Sequence, residues 1–539
     1  MNYRLLSRLL SLVSTLIGAS MAFSLPWALP IHNVSWKFER EGFFGLLAAM
    51  AACFIVAGIL RHIGRDTADD RLFRKEALAV VGLSWLLATV LGALPYYFSA
   101  TECRPDVPMS FVDSMFESQS GFSTTGATVL TNLEDHEMVP RCILFWRSST
   151  HFLGGLGIIV LFVAILGQGS AGKALMRAEM PGPSKSTPQA RMQQSAWILF
   201  FVYTGLNALL TIILMLENLS LFDSLCHAFG TMATGGFSTY NLSVGHFTTQ
   251  PQLYNGPLIE MTITVFMVLA GTNFMLIYWS SVLQWRRLIA DIEWRTYLTV
   301  IALATIAIIG FGLATGDFSS NNHGMESAGT ADPPADGYQV GKAVRYTLFQ
   351  VVSIITTTGF CTDNFDIWSS FSRGLLILLM FVGGCAGSTG GGMKVIRHIL
   401  FFKILRQETE RAFHPTIVRP LRLGGKPIED PDLRMNILVY FGLVIAIFAL
   451  SWLAVLTLEP NSTWTDNGHS SEHKLIDAAS SVTATLNNIG PGLGVVGATK
   501  NYTNFTDPSK LLFTWLMMLG RLELFAIIVL FIPSYWRRK

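Results

Sequence analysis

Thr124-Thr125-Gly126-Ala127 ends a stretch that begins at Asp113, and three later stretches of the chain follow the same pattern. Each begins with a polar residue, continues through a short and mostly apolar segment, and reaches a glycine thirteen positions on, in a turn rich in Thr or Asn. The other three endings are Thr234-Gly235-Gly236-Phe237, Thr357-Thr358-Gly359-Phe360 and Asn488-Ile489-Gly490-Pro491. The four glycines are separated by 110, 123 and 131 residues, so the repeating unit is a whole supersecondary block.

The composition indicates that these blocks lie in a membrane. The chain of 539 residues is 51% hydrophobic and only 14% charged, whereas about a quarter of the residues of a soluble domain are charged. Ten apolar segments are each long enough to cross about 30 Å of hydrocarbon. We predict these spans at 7–30, 41–62, 76–98, 143–167, 195–216, 257–283, 296–315, 374–402, 435–457 and 511–533. The predicted fold class is therefore an all-α, polytopic membrane protein.

The distribution of basic residues predicts the orientation of the chain. Lys and Arg are concentrated at both termini and in the loops that follow the even-numbered spans. The loops on the other side contain fewer of them and carry acidic groups such as Glu134 and Asp317. Because cytoplasmic loops carry an excess of Lys and Arg, we predict that both termini are cytoplasmic and that the four repeated stretches begin on the outer face.

The length of the repeated stretches predicts a pore. Residues 113–124 would form a helix about 17 Å long, which reaches only halfway through a membrane. Non-helical backbone at that depth occurs only where it is buried in protein or lines a water-filled path. Four turns around one axis would form a ring of carbonyls that replaces the hydration shell of a cation, and glycine permits the close approach. The alternative is that the glycines only let helices pack closely; their common register favours the pore.

These motifs resemble the Trk/Ktr/HKT superfamily of potassium transporters, and in particular its bacterial TrkH and TrkG branch. The resemblance is carried by FSTTGAT at 122–128, ATGGFST at 233–239, ITTTGF at 355–360, GGCAGSTGGGMK at 383–394, LNNIGPGLG at 486–494 and GRLELF at 520–525. It extends from about residue 70 to the end of the chain. It implies four helix–pore-loop–helix repeats around one pore, at 71–170, 171–290, 291–431 and 432–539, preceded by two extra transmembrane helices in 1–70.

The resemblance also implies the residues of a potassium filter. Carried over position by position, they are Thr124, Thr125, Gly126, Thr234, Gly235, Gly236, Thr357, Thr358, Gly359, Asn488, Ile489 and Gly490. Glycine in all four repeats implies a preference for the potassium ion, since some plant relatives with serine in the first repeat carry sodium. The expected location is the inner membrane of a bacterium. The expected partners are a second copy of the chain, membrane lipid and a cytoplasmic, nucleotide-binding regulatory subunit of the TrkA type.

A gate beneath the filter is predicted from a glycine-rich run in the eighth span. The run from Gly383 to Lys394 contains six glycines, and each glycine costs a helix about 1 kcal/mol relative to alanine, so the span should be broken here. The matching family loop is a flexible plug, with Arg521 beside it as a positive barrier. The implied gating residues are Gly383, Gly387, Ser388, Thr389, Gly390, Gly391, Gly392, Lys394 and Arg521. The alternatives are a packing kink and an ion pair between Arg521 and Glu523.

Other polar residues are interpreted as structural. Arg147 and His151, in the outer part of the fourth span, are expected to make polar contacts rather than to bind ions, and Glu260 is expected to be solvated near a membrane end. The sequence contains no nucleophile–base set and no metal-ligand spacing, so it predicts neither an enzyme nor a partner of nucleic acid.

The predicted function is potassium uptake through a gated, selective, channel-like pore. A membrane potential of about 100 mV supplies roughly 2.3 kcal/mol per charge, which is enough for about 50-fold accumulation without another energy source. Two alternatives remain open at this point: a proton- or sodium-coupled potassium symporter, and the pore-loop subunit of an ATP-driven potassium pump.

Overall fold

The computed structural model describes residues 1–30, 37–65, 74–157, 189–318, 338–414, 421–423, 426–427, 433–465, 473–522 and 524–537. The α-helices are Tyr3–Met21, Arg40–Ile63, Arg74–Phe98, Phe111–Phe122, Arg141–Gly155, Gln189–Leu216, Leu221–Met232, His246–Thr249, Gly256–Ala270, Phe274–Ser281, Arg286–Ala290, Ile292–Thr315, Tyr338–Ile355, Ser370–Met380, Val395–Phe413, Leu433–Leu458, Ser462–Thr465, Lys474–Leu486, Asp507–Arg521, Phe525–Ile528 and Pro533–Trp536. Short 3-10 helices are Ala22–Ala28, Ser243–Gly245, Phe365–Ile367, Gly494–Val496 and Val529–Phe531. Two small antiparallel hairpins pair Glu102–Arg104 with Val107–Pro108 and Arg422–Leu423 with Lys426–Pro427.

Two long helices precede the repeats, as predicted. Tyr3–Met21 and Arg40–Ile63 pack along each other and against Arg74–Phe98. The Ser14 hydroxyl donates a hydrogen bond to the Cys53 carbonyl at 2.7 Å, which satisfies a polar group inside the pair. The leading helices therefore form a layer beside the first repeat.

Each repeat contains a first helix, a short pore helix, a glycine turn and a return helix. The first helices are Arg74–Phe98, Gln189–Leu216, Ile292–Thr315 and Leu433–Leu458. The pore helices are Phe111–Phe122, Leu221–Met232, Tyr338–Ile355 and Lys474–Leu486, and the return helices begin at Arg141, Gly256, Ser370 and Asp507. Three of the predicted domain boundaries, at 70/71, 170/171 and 431/432, lie outside the described residues, so the boundaries stay a prediction.

Local capping explains where the pore helices begin. The Ser110 hydroxyl accepts the backbone N–H of Asp113 at 3.1 Å, and the Asp113 carboxylate accepts the N–H of Ser110 at 3.2 Å, which is a capping box. Ser220 and Asp223 repeat the first of these bonds at 3.1 Å. Asp477 lies in the first turn of the fourth pore helix. Carboxylates at these ends are favourable because the helix N-terminus carries partial positive charge.

The return helices of repeats 2 and 3 are interrupted. In repeat 3 the chain leaves the helix after Met380 and resumes it at Val395, so the predicted break in the eighth span is confirmed. In repeat 2, Gly256–Ala270 and Phe274–Ser281 meet at an angle of 105°, so the predicted span 257–283 is not one straight helix. The reason is local: the Asn273 side chain accepts the N–H of Met275 at 2.8 Å and starts a new helix.

The described return helices of repeats 1 and 4 end inside the predicted spans. The first ends at Gly155, inside the predicted span 143–167, whose residues from 158 on are not described. The fourth ends at Arg521 and is followed by the short helices Phe525–Ile528 and Val529–Phe531, so the predicted span 511–533 is interrupted. Residues 158–188 lie outside the described part of the chain. Six described helices, or seven if the bent pair counts as one, are long and apolar enough to cross a membrane. These helices confirm the polytopic membrane fold.

Ion pairs with at least one buried partner join neighbouring repeats. Lys510 Nζ lies 2.6 Å from Asp113 Oδ1, which connects the return helix of repeat 4 to the pore helix of repeat 1. Arg345 Nε lies 3.0 Å from Glu260 Oε2, which connects repeats 3 and 2. Glu260 is only 1% exposed, so its interpretation as a solvated residue is wrong: the apparent surface position is covered by the adjacent pore helix.

The described ends of the chain meet on one face of the molecule. The ammonium of Met1 lies 3.9 Å from the Glu76 carboxylate, and Lys75 Nζ donates to the Arg537 carbonyl at 3.1 Å. We call this side the terminal face. The pore helices begin at the opposite face, because each follows a first helix that crosses the molecule.

Candidate ion pathway

The four glycine turns share one backbone conformation. Each glycine has a φ between 77° and 87°, and the residue two positions before it has a φ between 53° and 60°. These pairs are Thr124 and Gly126, Thr234 and Gly236, Thr357 and Gly359, and Asn488 and Gly490. Positive φ is uncommon in residues other than glycine, so its recurrence at equivalent positions means that one turn is built four times.

The turns meet in a closed ring. A Cβ atom built on each glycine would lie 2.5 Å or less from a carbonyl oxygen of the next repeat. The pairs are Gly126 with Gly235, Gly236 with Thr358, Gly359 with Ile489, and Gly490 with Thr125. The fourth repeat therefore contacts the first, and the structure brings all twelve predicted filter residues together. Glycine is required here both for its φ and for the approach of a neighbouring backbone.

An asparagine replaces threonine in the fourth turn, and its amide ties this turn to its neighbours. Asn488 Nδ2 donates to Thr125 Oγ1 at 2.9 Å and to the Met517 carbonyl at 2.8 Å. The Tyr502 hydroxyl donates to the Gly490 carbonyl at 2.9 Å. The departure from the threonine pattern of the other repeats is thus accommodated by additional hydrogen bonds.

Each turn follows directly on the C-terminal end of its pore helix. The helices end at Phe122, Met232, Ile355 and Leu486, two residues before the residue of positive φ. A helix C-terminus carries about half a negative charge on its free carbonyls. Four such ends around one ring create an environment that attracts a cation and repels an anion.

Repeats 1 and 2 are joined behind the ring by His151. Its Nδ1–H donates to the Gly121 carbonyl at 2.8 Å, and its Nε2 accepts the backbone N–H of Phe237 at 3.2 Å. The imidazole also stacks on the Phe237 ring at 4.1 Å. Both ring nitrogens are used by the protein, which agrees with the interpretation of His151 as a structural contact.

Arg147 is also a structural contact, and its partner is a residue that the sequence reasoning missed. Arg147 Nε lies 2.6 Å from Glu117 Oε1, and the two side chains are 2% and 0% exposed. Glu117 is on the first pore helix, thirty residues away along the chain. The available signal was a carboxylate in the middle of a half-helix that the membrane argument already placed inside the protein.

The glycine-rich loop lies against the ring on its terminal side. The Gly391 N–H donates to Thr357 Oγ1 at 2.8 Å, and Thr389 Oγ1 donates to the Met232 carbonyl at 2.8 Å. The Gly383 N–H donates to the Met393 carbonyl at 2.7 Å, which draws the two ends of the loop together. The loop is therefore a compact structure held to repeats 2 and 3.

A second missed residue holds the base of this loop. Glu293 Oε1 accepts the N–H of Ala386 at 2.8 Å and the N–H of Ile396 at 3.0 Å. Glu293 lies in the first turn of the first helix of repeat 3 and is 8% exposed. One carboxylate oxygen thus fixes the backbone at Ala386, near the start of the glycine run, and at Ile396, just after its end. Lys394 donates from its Nζ to the Gly390 carbonyl within the loop.

Arg521 joins the loop to repeat 1. Its Nη1 donates to the Thr389 carbonyl at 2.5 Å, and its Nη2 donates to the Gly154 and Gly155 carbonyls at 2.6 Å and 3.3 Å. Gly154 and Gly155 end the first return helix, where a cation is favourable. The alternative partner Glu523 lies outside the described residues.

The ring separates two cavities. One, of about 110 Å³, is lined by the four ring glycines together with Arg147 and Lys500. The other, of about 100 Å³, is lined by residues 387–392 of the loop and by Lys394 and Arg521. The predicted gating residues other than Gly383 line this second cavity. A path through the ring therefore meets the loop and two cationic side chains on the terminal side.

Together, four pore-loop repeats in one chain and a closed ring of backbone carbonyls define a class of protein: a multi-pass membrane transport protein, not an enzyme. Residues 45–538 match the family model described as TrkH, a cation transport protein. The chain belongs to this family.

Known relatives cover the whole length of the chain. It is 34% identical over 100% of both sequences to the Trk system potassium uptake protein TrkH of Escherichia coli strain K12. It is 31% identical to the Trk system potassium uptake protein TrkG of the same organism, over 94% of this chain and 95% of that protein. The crystal structure of the potassium transporter TrkH from Vibrio parahaemolyticus matches with a TM-score of 0.80 and 28% identity, over 100% of both chains. The resemblance inferred from the motifs is confirmed.

Proposed function

We propose that this chain carries potassium ions into a bacterial cell through a gated, selective pore in the inner membrane. The observation that carries the proposal is the closed ring, in which each glycine contacts a carbonyl of the next repeat. A ring of carbonyls can replace the hydration shell of a monovalent cation. The printed names of the relatives, potassium uptake protein and potassium transporter, support potassium as the ion.

The proposed filter consists of the twelve turn residues. Backbone carbonyls from four unequal repeats coordinate the ion, while the surrounding hydrogen bonds hold the carbonyls in place. The seven turn residues that are not glycine are all 0% exposed. They are Thr124, Thr125, Thr234, Thr357, Thr358, Asn488 and Ile489.

The proposed gate is the glycine-rich loop together with Arg521. The loop contacts the turn of repeat 3 through Thr357, and Arg521 ties the loop to repeat 1 through three carbonyls. In this arrangement the guanidinium lies beside the path of the ion. A loop that lies across the path of the ion and a positive charge beside it both oppose conduction. In this proposal, the described conformation is therefore the closed state.

The proposed orientation has the terminal face in the cytoplasm. Lys and Arg are concentrated at the two termini and in the loops on the same side of the membrane as the termini, and cytoplasmic loops carry an excess of them. Uptake is then driven by the membrane potential, which favours inward movement of a cation by about 2.3 kcal/mol per 100 mV. A homodimer and a cytoplasmic, nucleotide-binding regulatory subunit of the TrkA type complete the proposal. The term "Trk system" in the names of the relatives supports a multicomponent assembly.

Reconstitution in proteoliposomes tests the mechanism. Rubidium uptake is measured while the membrane potential is set independently of the proton and sodium gradients, with and without a regulatory subunit. We expect uptake to follow the potential and to be independent of both gradients. Uptake that requires a fixed ratio of protons or sodium ions would identify a symporter instead, and dependence on ATP hydrolysis by an associated chain would identify a pump subunit.

A further inference from the structure

The ion pair between Glu117 and Arg147 lies beside the filter, and Arg147 also lines the cavity that the four ring glycines share. Glu117 is one helical turn beyond Asp113 on the first pore helix, and Arg147 is on the return helix of the same repeat. Their side chains are almost completely excluded from solvent, at 0% and 2% exposure, and the Nε–Oε1 distance is 2.6 Å. Charges are rarely buried to this degree without a specific arrangement of partners.

Glu117 holds the segment that leaves the first glycine turn. Its two carboxylate oxygens accept the Thr128 hydroxyl at 2.9 Å and 3.1 Å. Its Oε2 also accepts the backbone N–H of Val129 at 3.0 Å. These bonds lie two and three residues after Gly126, so the carboxylate fixes the chain immediately beyond the carbonyl ring.

Arg147 holds the corresponding segment of the second repeat. Its Nη1 donates to the Ser238 carbonyl at 2.9 Å, two residues after Gly236. Its guanidinium lies 3.4 Å from the centre of the Phe237 ring. The ion pair therefore connects the filter segments of two neighbouring repeats, across the contact where Gly126 meets the Gly235 carbonyl.

The other repeats use uncharged residues at the position of Glu117. Four residues after the start of each repeated stretch the chain has Glu117, His227, Gln350 and Ser481. In repeat 2, His227 Nε2 lies 3.0 Å from the Ser238 hydroxyl, so the same geometry is met there by an imidazole. A carboxylate is thus not needed to build this turn. Its presence in repeat 1 requires a reason beyond the fold of a single repeat.

We infer that Glu117 and Arg147 are positioning residues that set the ion selectivity of the filter. The inference rests on the proposed function of the ring. Neither side chain binds the ion; each fixes one of two adjacent filter segments, and their mutual attraction fixes the distance between them. Removal of one charge leaves the other buried and unpaired, and the segments beyond Gly126 and Gly236 then lose their common anchor. A ring that is free to contract accommodates the smaller sodium ion.

The test compares Glu117→Gln with a matched control in the next repeat. Gln keeps the size of the side chain and an oxygen acceptor but removes the charge. Glu260→Gln is the control, because Glu260 is also buried and paired with an arginine, Arg345, which lies fourteen residues before Gly359. Each variant is measured for its amount in the membrane, its thermal stability in detergent, and its rubidium uptake with competing sodium.

The expected result separates selectivity from stability. Both variants are expected to be less stable, but only Glu117→Gln should lower the ratio of rubidium to sodium uptake, by about tenfold, and raise the apparent KM for rubidium more than it lowers the maximum rate. Arg147→Lys should lower the ratio as well, because lysine keeps the charge but loses the planar contact with Phe237 and the hydrogen bond to the Ser238 carbonyl.

Two outcomes of these measurements would overturn the inference. A ratio equal to that of the unmodified chain in Glu117→Gln would overturn the inference. An equal loss of ratio in Glu260→Gln would also overturn it, because the effect would then be general destabilisation. If Glu117→Gln does not reach the membrane, the ion ratio of Arg147→Lys decides instead, because lysine keeps a positive charge opposite Glu117. A ratio equal to that of the unmodified chain would then overturn the inference. Absence of rubidium uptake in the unmodified chain with its regulatory subunit would instead contradict the proposed function.

Discussion

Substitution of one ring glycine should weaken potassium selectivity without preventing folding. In Gly236→Ser, the new Cβ would overlap the Thr358 carbonyl oxygen, and relief of the overlap requires that oxygen to move by about 1 Å. The φ of 77° adds roughly 1–2 kcal/mol of backbone strain for a residue with a side chain. If this energy is released by displacing the carbonyl, discrimination between two ions changes by about tenfold for each 1.4 kcal/mol.

The assay is rubidium uptake with competing sodium, in potassium-transport-deficient bacteria that express the chain. Gly442→Ser is a matched control, because Gly442 lies on the exposed side of a long helix and a Cβ there meets no atom within 4 Å. We expect the control to keep the uptake and the ion ratio of the unmodified chain. We expect Gly236→Ser to accumulate to the same level in the membrane and to lose selectivity.

The reasoning would be refuted by equal ion ratios in Gly236→Ser and Gly442→Ser at equal protein levels. That result would mean that the carbonyl of Thr358 does not contact the ion, or that the ring absorbs a side chain without moving. A total loss of protein from the membrane would be addressed with Gly236→Ala, whose side chain adds the same Cβ without a hydroxyl.

Three further predictions concern the loop and the junction of repeats 4 and 1. Arg521→Ala removes hydrogen bonds worth about 1.5–3 kcal/mol each and should raise single-channel conductance or basal uptake at least tenfold; unchanged flux would remove the gate from the proposal. Glu293→Gln weakens the anchor of the loop and should raise basal uptake about threefold, measured beside Arg521→Ala. Asp113→Asn breaks the buried pair with Lys510 and should destabilise the protein by about 3–5 kcal/mol, which melting in detergent would detect; an unchanged melting temperature would contradict it.

The ring was predictable because its determinants are local. A glycine at a fixed distance from the start of a half-helix, preceded by Thr or Asn, recurs four times, and the same four positions have positive φ. The break between Met380 and Val395 was predictable for the same reason, since consecutive glycines are poor helix formers wherever they occur. Local chemistry can be read from one sequence when it is repeated.

The contacts that support the ring were not predictable because they join distant residues. Glu117 and Arg147 are thirty positions apart, and Glu293 binds backbone N–H groups about one hundred positions away. Nothing in the neighbourhood of either carboxylate indicates its partner. Glu260 was assigned to solvent by its position in a span, and only the packing of the adjacent pore helix accounts for its burial.

The bend in repeat 2 was predictable from local residues. Gly271-Thr272-Asn273 contains a glycine followed by a residue that favours the start of a helix, which is a recognisable stop and start. The surrounding residues are so apolar that hydropathy alone predicts one span. The glycine-rich loop of repeat 3 packs against the break between the two helices of repeat 2, where the Cys385 N–H donates to the Gly271 carbonyl at 2.8 Å.

The closure of the ring by its last quarter has a consequence for biosynthesis. Gly490 contacts the carbonyl of Thr125, and the Tyr502 N–H bonds to the Thr128 carbonyl at 2.8 Å, so the first turn is completed by residues made more than three hundred and sixty positions later. While the ribosome is still translating the earlier quarters, the ring has an open side. A nascent or truncated chain that lacks the fourth quarter therefore cannot complete the ring of carbonyls, and the first turn reaches its final contacts only after the last quarter is made.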